Sequence, residues 1–211
     1  MARRTKEAAA ATRSLLLDAA AQLFYAQGVS RTSLNDIAVA AGTTRGAIYW
    51  HFKDKADLFN AMMERVTLPM ESTHCRVGMQ NCADPLDDLC TAMGNVLHMV
   101  VHDTQVRNAF EIAIHKVEYV AELLAIKQRH LEMRNNCVAQ MQDGLHHAAQ
   151  HHGVALTIPV NIAAQGLHAI VGGLIQNWLL DPTAFDLEAT GSAALRCNLA
   201  GLGFTTALDT P

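Results

Sequence analysis

Residues 31–59 of the chain read RTSLNDIAVAAGTTRGAIYWHFKDKADLF, two very short helical patterns separated by Ala41-Gly42. The second pattern carries Arg45 and the large side chains of Tyr49, Trp50 and His51. A short helix in a protein core does not need such side chains, whereas a helix that lies in the major groove of DNA does. The stretch therefore predicts a helix-turn-helix.

A small apolar core is expected to hold the two short helices against the helix that precedes them. Its predicted members share inward-facing positions and are Phe24, Leu34, Ile37, Ala38, Ala47, Ile48 and Phe52. Ser33 is expected to cap the second helix in a capping box with Asp36. Thr43 or Thr44 caps the third helix, and Asp54 caps the fourth.

The outward face of the third helix is predicted to contact DNA. Arg45 is the side chain there that can make a bidentate contact to O6 and N7 of guanine, worth about 1–3 kcal/mol of discrimination. Gly46 removes a side chain and allows the backbone to approach the groove. Thr43, Tyr49 and His51 suit phosphate oxygens, which position the helix without reading sequence.

Further basic residues flank this face. Lys55 opens the fourth helix, where its charge and the helix N-terminus both attract a phosphate. Arg3, Arg4 and Lys6 precede the first helix in this prediction, as a basic arm for an adjacent minor groove. The predicted DNA-contacting residues are Arg3, Arg4, Ser33, Thr43, Thr44, Arg45, Gly46, Tyr49, Trp50, His51, Lys53 and Lys55.

The charge is unevenly divided along the chain. Its 211 residues carry a net charge of −4. Residues 1–60 nevertheless hold eight Lys or Arg against five acidic residues, a net charge of +3, whereas residues 61–211 hold 8 against 15, a net charge of −7. This division predicts a small basic module joined to a larger acidic one.

Composition also indicates the cellular compartment in which the protein is expected. The five cysteines are an odd number without CxxC spacing, which favours a reducing cytoplasm over a disulfide framework. Residues 1–13 are polar and basic and do not resemble a signal peptide. Residues 144–180 contain no Asp, Glu, Lys or Arg, but many His, Asn and Gln interrupt them. We expect burial of this segment in the protein or against a second copy, and no membrane span.

The apolar periodicity predicts an all-α fold of about nine helices with no strand. Gly28 fits the left-handed position that ends the first helix. The predicted N-terminal DNA-binding domain covers residues 1–53, and a ligand-binding and dimerisation domain covers residues 54–211. The predicted helices lie at about 5–27, 34–40, 44–51, 55–69, 85–100, 104–115, 120–145, 160–180 and 187–207.

The helix-turn-helix segment resembles the TetR family of one-component bacterial regulators. The matching elements are Gly28-Val29, Arg31-Thr32-Ser33-Leu34, Asp36-Ile37-Ala38, Ala41-Gly42, the run from Arg45 to Phe52, Lys55 and Leu58. Shorter matches extend the resemblance to the multidrug-efflux branch typified by AcrR, MtrR and TtgR. They are the run from Ala2 to Glu7, His115-Lys116-x-Glu118, Gly173-Leu174-Ile175-x-x-Trp178 and Phe185-Asp186-Leu187.

This resemblance implies a homodimeric repressor that binds double-stranded operator DNA and pairs through its last two helices. A small lipophilic inducer bound in the second domain moves the recognition helices apart and releases the operator. The operon implied is a multidrug efflux operon, together with the regulator's own gene. Small residues in the last two helices also favour a close helical interface; examples are Ala163, Ala164, Gly166, Gly172, Gly173, Gly191, Ser192, Ala193 and Ala194.

The resemblance also assigns an inducer pocket. Its predicted residues are Met93, Val96, Phe110, Ile114, Cys137, Met141, Leu167, Gly172 and Gln176. Some relatives carry Asn, His, Asp or Arg as polar anchors where this chain has Phe110, Ile114, Gly172 and Gln176. We therefore expect a more apolar pocket than theirs, with a different set of ligands.

We consider two alternatives to a repressor that responds to a lipophilic ligand. A metal ion or an oxidant is the second candidate effector, because His147 and His151 stand at i, i+4 and Cys75, Cys82 and Cys90 lie close in sequence. A solvated helix end explains the His cluster more simply, and we predict no metal site. An enzyme or carrier on the same fold is disfavoured, since no nucleophile with its base, phosphate loop or cofactor fingerprint is present. We predict no catalytic residue and no cofactor.

Overall fold

The computed structural model describes residues 2–74, 84–118 and 123–204, with side chains described from residue 6 in the first helix and up to residue 66 in the fourth. Within these ranges the fold is all-α, with nine helices and no strand, as predicted. The helices are α1 (Ala2–Gln27), α2 (Leu34–Ala40), α3 (Arg45–His51), α4 (Lys55–His74), α5 (Pro85–His102), α6 (Thr104–His115), α7 (Leu124–His152), α8 (Val160–Leu180) and α9 (Leu187–Gly201).

Local capping interactions set the end of α1 and the starts of α2 and α4 at the positions that the sequence predicted. Gly28 has a φ of 86° and donates its N–H to the carbonyl of Phe24 at 3.0 Å, which ends α1. Ser33 and Asp36 form both halves of the capping box at the start of α2. The carboxylate of Asp54 accepts the N–H of Asp57 at 2.8 Å and caps α4.

Several helix ends differ from the prediction, and α7 runs from Leu124 to His152 rather than over about 120–145. Helix α1 begins at Ala2, so Arg3, Arg4 and Lys6 lie within it rather than ahead of it. Helix α4 continues through Pro69 to His74, although proline cannot donate the usual backbone hydrogen bond. Helix α9 ends at Gly201, because Gly203 adopts a φ of 104° that only glycine enters readily. Ala207, the predicted end, lies outside the described residues.

The chain divides into two compact units. Unit 1 comprises residues 1–68 with 108–130, and unit 2 comprises residues 69–107 with 131–211. The core of unit 1 contains side chains of the first four helices. Ala109 and Ile112 of α6 pack in the same core, and so do Leu123 and Ile126. The C-terminal half of α6 therefore shares one core with the helix-turn-helix. The functional boundary at residues 53 and 54 remains a prediction.

Unit 2 is built around three mutually packed helices, α5, α8 and α9. Met93, Leu97, Leu167 and Leu195 are buried in it. Among the described residues, no helix is both long enough and apolar enough to cross a membrane.

Candidate functional site

The apolar core of the helix-turn-helix forms as predicted. Ile37 of α2 and Ile48 of α3 are fully buried, and Phe24 and Phe52 are buried with them. Ala47 is half-buried beside this core. Burial of one face of α3 leaves its opposite face in solvent, where it can enter a groove of DNA.

The turn between α2 and α3 uses glycine at one position. Gly42 has a φ of 65°, and the N–H of Thr43 donates to the carbonyl of Ala38 at 2.9 Å. The hydroxyl of Thr44 accepts the N–H of Ala47 at 3.2 Å, so Thr44 rather than Thr43 caps α3. Because that hydroxyl acts as an acceptor in the cap, its proton remains available for a phosphate oxygen.

The outward face of α3 carries an unusual amount of exposed aromatic surface. Trp50 is 74% exposed and Tyr49 is 49% exposed, and Arg45 and Gly46 are exposed beside them. Val39 of α2 adds a further exposed apolar side chain at 70%. Exposed Trp and Tyr side chains beside an arginine are typical of an interaction surface.

Arg45 and Tyr49 interact on this face. The guanidinium carbon of Arg45 lies 5.8 Å from the centroid of the Tyr49 ring. Stacking on a ring restricts the guanidinium without using the N–H donors at its edge. The contact therefore restricts the Arg45 guanidinium before DNA binds and leaves its N–H donors available for the predicted bidentate base contact.

His51 has an electrostatic environment that keeps it neutral. Burial first, and the nearby charge of Arg13 second, lower the pKa of His51 below its ordinary value of 6.5. The guanidinium carbon of Arg13 lies 5.1 Å from the centroid of the Phe52 ring. Sequence reasoning missed Arg13 because its position beside the end of α3 depends on how α1 packs.

Lys55 has an intramolecular role that its position in the sequence did not reveal. Its ammonium donates to the carbonyls of Ser30 at 3.2 Å and Thr32 at 3.1 Å. The buried Thr32 hydroxyl in turn donates to the carbonyl of Gly28 at 2.8 Å. An ammonium has three donors, so one remains for a phosphate, and that contact stays a prediction.

The loop that Lys55 holds is also bound to the end of α6. The N–H of Val29 donates to the carbonyl of Lys116 at 3.0 Å, and the hydroxyl of Ser30 donates to the carboxylate of Glu118 at 3.3 Å. Glu111 of α6 pairs with the Lys116 ammonium at 3.6 Å. These contacts form a structural corner, which connects α6 directly to the entry of α2.

Other predicted DNA-contacting residues have defined surroundings. The hydroxyl and the N–H of Ser33 both donate to the Asp36 carboxylate, at 2.7 and 2.9 Å, so Ser33 has no free proton for a phosphate while the cap persists. Lys53 is exposed. Arg3 and Arg4 lie in α1, and their side chains are outside the described residues.

The predicted inducer-binding residues fall in both units. Met93 and Leu167 are buried in unit 2. Phe110 and Ile114 of α6 are half-buried in unit 1. Gln176 is exposed. The remaining four are half-buried in unit 2 and are Val96, Cys137, Met141 and Gly172.

A cavity of about 350 Å³ lies between α5 and α9 in unit 2. Its lining contains none of the nine predicted inducer residues. Its exposed lining surface is mostly apolar, and the lining residues are Cys90, Gly94, Asn95, Leu97, His98, Glu188, Ser192, Leu195 and Arg196. The nine predicted inducer-binding residues therefore remain a prediction.

An all-α chain with a capped helix-turn-helix and an exposed arginine and tryptophan on its second short helix is a DNA-binding protein of the helix-turn-helix class. The family model for bacterial regulatory proteins of the tetR family matches residues 16–62. The model for the C-terminal region of MAATS-type transcriptional repressors matches residues 84–202. The chain belongs to the TetR family of transcriptional regulators and is a regulator rather than an enzyme.

Relatives and solved structures cover most of the chain. The HTH-type transcriptional regulator AcrR of Shigella flexneri is 39% identical over 192 residues, 89% of this chain and 87% of the relative. TtgR of Pseudomonas putida is 36% identical, with 89% of each chain covered. The crystal structure of NalD, the secondary repressor of the MexAB-OprM multidrug efflux pump in Pseudomonas aeruginosa, is 34% identical with a TM-score of 0.84, covering 93% of this chain and 98% of that one. A complex of SmeT with triclosan is 31% identical with a TM-score of 0.80, covering 95% and 98%.

Substitution of Arg45 tests the predicted base contact. We expect Arg45→Ala to reduce the preference for operator over random DNA by about 1–3 kcal/mol, because the bidentate contact to guanine is lost. Fluorescence anisotropy with both DNAs measures this preference. Arg31→Ala, which removes one exposed positive charge from the same unit, serves as the control and should weaken both affinities alike. An unchanged preference in Arg45→Ala would remove the base-reading role.

Acidification tests the environment of His51. Its pKa is lowered, so His51 gains a proton only below its ordinary value of 6.5. The added charge then favours phosphate, and operator affinity should rise as the pH falls through this range. His51→Gln should lose this rise, whereas the exposed His146→Gln should keep it. If the pH profiles of wild type and His51→Gln coincide, His51 does not contact a phosphate.

Proposed function

We propose that this protein is a homodimeric repressor of a multidrug efflux operon and of its own gene, released from its operator by a small lipophilic ligand. The observation that carries the DNA-binding part is the exposed face of α3, with Arg45 beside Trp50, in a chain of the TetR family. The efflux assignment is supported by NalD, which represses a multidrug efflux pump. The lipophilic ligand is supported by SmeT, which forms a complex with triclosan. The site of action is the cytoplasm, where operator DNA is found.

Each protomer reads one half-site in this proposal. Arg45 contacts base edges, and the remaining ammonium proton of Lys55 contacts a phosphate. Arg13, Lys53, Tyr49 and His51 add phosphate contacts around α3. Arg3 and Arg4 extend the basic surface from the first turns of α1.

Dimerisation is assigned to α8 and α9. One side of α8 carries an uncharged stripe of Ile162, Gln165, Ala169, Gly173, Gln176 and Leu180. Ile162 is 54% exposed and Leu180 is 70% exposed in the single chain, and a second copy paired along α8 would cover them. Ala163, Ala164 and Gly191, which the sequence suggested for the interface, are buried inside unit 2. The proposed dimer interface therefore rests on the uncharged stripe of α8.

The coupling between ligand and DNA uses α6. Phe110 and Ile114, two of the predicted inducer-binding residues, lie on the half of α6 that shares a core with the helix-turn-helix. A ligand that displaces this half of α6 also displaces Lys116, whose carbonyl binds Val29. Movement of that loop changes the position of α2 and α3 relative to DNA, which lowers operator affinity.

The environment of Cys90 disfavours an oxidant switch at this thiol. Burial, and then the negative charges of Asp87 and Asp84, raise the pKa of the Cys90 thiol. A raised pKa disfavours the thiolate that reacts with oxidants. Cys75 and Cys82, the other two members of the suggested oxidant switch, lie outside the described residues.

A gel shift against the DNA upstream of the protein's own gene tests the function. The protein should retard this DNA at concentrations that do not retard unrelated DNA. Addition of triclosan or another lipophilic phenol should then release the bound DNA. Zn²⁺ and hydrogen peroxide are run in parallel. Release by either of them, with no effect of the phenols and lipophilic cations, would overturn the lipophilic effector in favour of the metal or oxidant alternative.

A charge on the exposed stripe of α8 tests the dimer. A Cβ atom added at Gly173 would meet no atom of another part of the single chain within 4 Å, so we expect Gly173→Glu to fold. At a close helix–helix interface it should prevent pairing, and light scattering should detect a monomer with weakened operator binding. Ala139→Glu, at an exposed position of α7, should remain dimeric. A dimeric Gly173→Glu would place the interface elsewhere.

A further inference from the structure

Two histidines of α5 and one glutamate of α9 lie together on the surface of unit 2. Nδ1 of His98 lies 2.8 Å from Oε1 of Glu188, and Nε2 of His102 lies 3.0 Å from Oε2 of the same carboxylate. The two imidazole centroids are 4.2 Å apart. One nitrogen from each ring and a carboxylate oxygen all lie within 4.8 Å of one another.

The arrangement suits a divalent metal ion. His98 and His102 are separated by one helical turn and therefore project from the same face of α5. All three side chains are exposed enough to adjust by the short distance that closure around an ion requires.

We propose that His98, His102 and Glu188 form a Zn²⁺-binding site that joins α5 to α9. Two imidazoles and a carboxylate are a known ligand set for zinc, with water in the fourth position. His98 and Glu188 also line the cavity between α5 and α9, which gives a water or a small anion access to that position. The bound ion fixes the first turn of α9 to α5.

A second group near the end of α7 is less suitable. Asp84, His151 and His152 also bring one ligand atom each within 4.8 Å of one another. The Asp84 carboxylate, however, already accepts the N–H of Leu86 at 2.8 Å as the cap of α5. His151 and His152 are adjacent in a helix and point about 100° apart, which hinders binding of one ion by both.

The proposal is independent of the effector assigned above. The site lies in a different place from the nine predicted inducer-binding residues. Zinc here stabilises unit 2, and release from the operator does not depend on it. The absence of zinc binding would therefore leave the repressor function untouched, and a failed gel shift would leave the zinc site untouched.

Isothermal titration of the tag-free, EDTA-treated and dialysed full chain with ZnCl₂ tests the site. The expected result is one zinc ion per chain at this site. His98→Ala, His102→Ala and Glu188→Gln should each weaken binding at least about tenfold, by loss of one ligand. The control is His147→Ala/His151→Ala, which removes the i, i+4 histidine pair of α7 together with one member of the Asp84 group, and it should bind zinc as the wild type does. Melting curves in EDTA establish that each variant folds.

Cobalt gives a second readout that a structural role alone would not affect. Co²⁺ in place of zinc should give visible absorption bands of a four-coordinate site, and Glu188→Gln should change their position or intensity. Hydrogen exchange in the first turn of α9 should slow when zinc is added to the wild type. The proposal is overturned if the wild type binds no zinc, if the three variants bind it as tightly as the wild type, or if only the α7 variant loses binding.

Discussion

The Lys55 ammonium is the interaction on which the DNA-binding surface depends. Its two hydrogen bonds join the start of α4 to the loop between α1 and α2. Hydrogen bonds from a charged donor contribute about 1.5–3 kcal/mol each, which is large for a loop of this length. Since this loop leads into α2, and α2 packs on α3, the position of the recognition helix follows from where Lys55 holds the chain.

The same loop is bound from a second side by the end of α6. Lys116 and Glu118 contact Val29 and Ser30 there, while Lys55 contacts the loop from α4. The position of the α1–α2 loop therefore depends on both α4 and the end of α6. A shift of either helix moves the first residues of α2. In the proposed function, a ligand that displaces the end of α6 changes the entry of α2 through this loop.

Local features were predictable from the sequence, and distant contacts were not. The capping box of Ser33 and Asp36 and the left-handed Gly28 depend on neighbouring residues, so their spacing was enough to place them. The role of Lys55 depends on carbonyls more than twenty residues earlier, which carry no side-chain signal. The pairing of His98 with Glu188 spans 90 residues and left no pattern in either helix. The DNA contacts and the inducer-binding residues remain predictions, since they concern partners that the chain alone does not contain.

Hydrogen exchange of the α1–α2 loop, measured together with operator affinity in Lys55→Met and Lys55→Arg, tests the central claim most directly. In Lys55→Met the amides of Val29 and Thr32 should exchange faster, and operator affinity should fall, because the loop is no longer held. Lys55→Arg retains a cationic donor and should lie between this variant and the wild type. Wild-type exchange of the loop in Lys55→Met would contradict the account even if operator affinity fell, because loss of the predicted phosphate contact alone lowers affinity while the loop stays held.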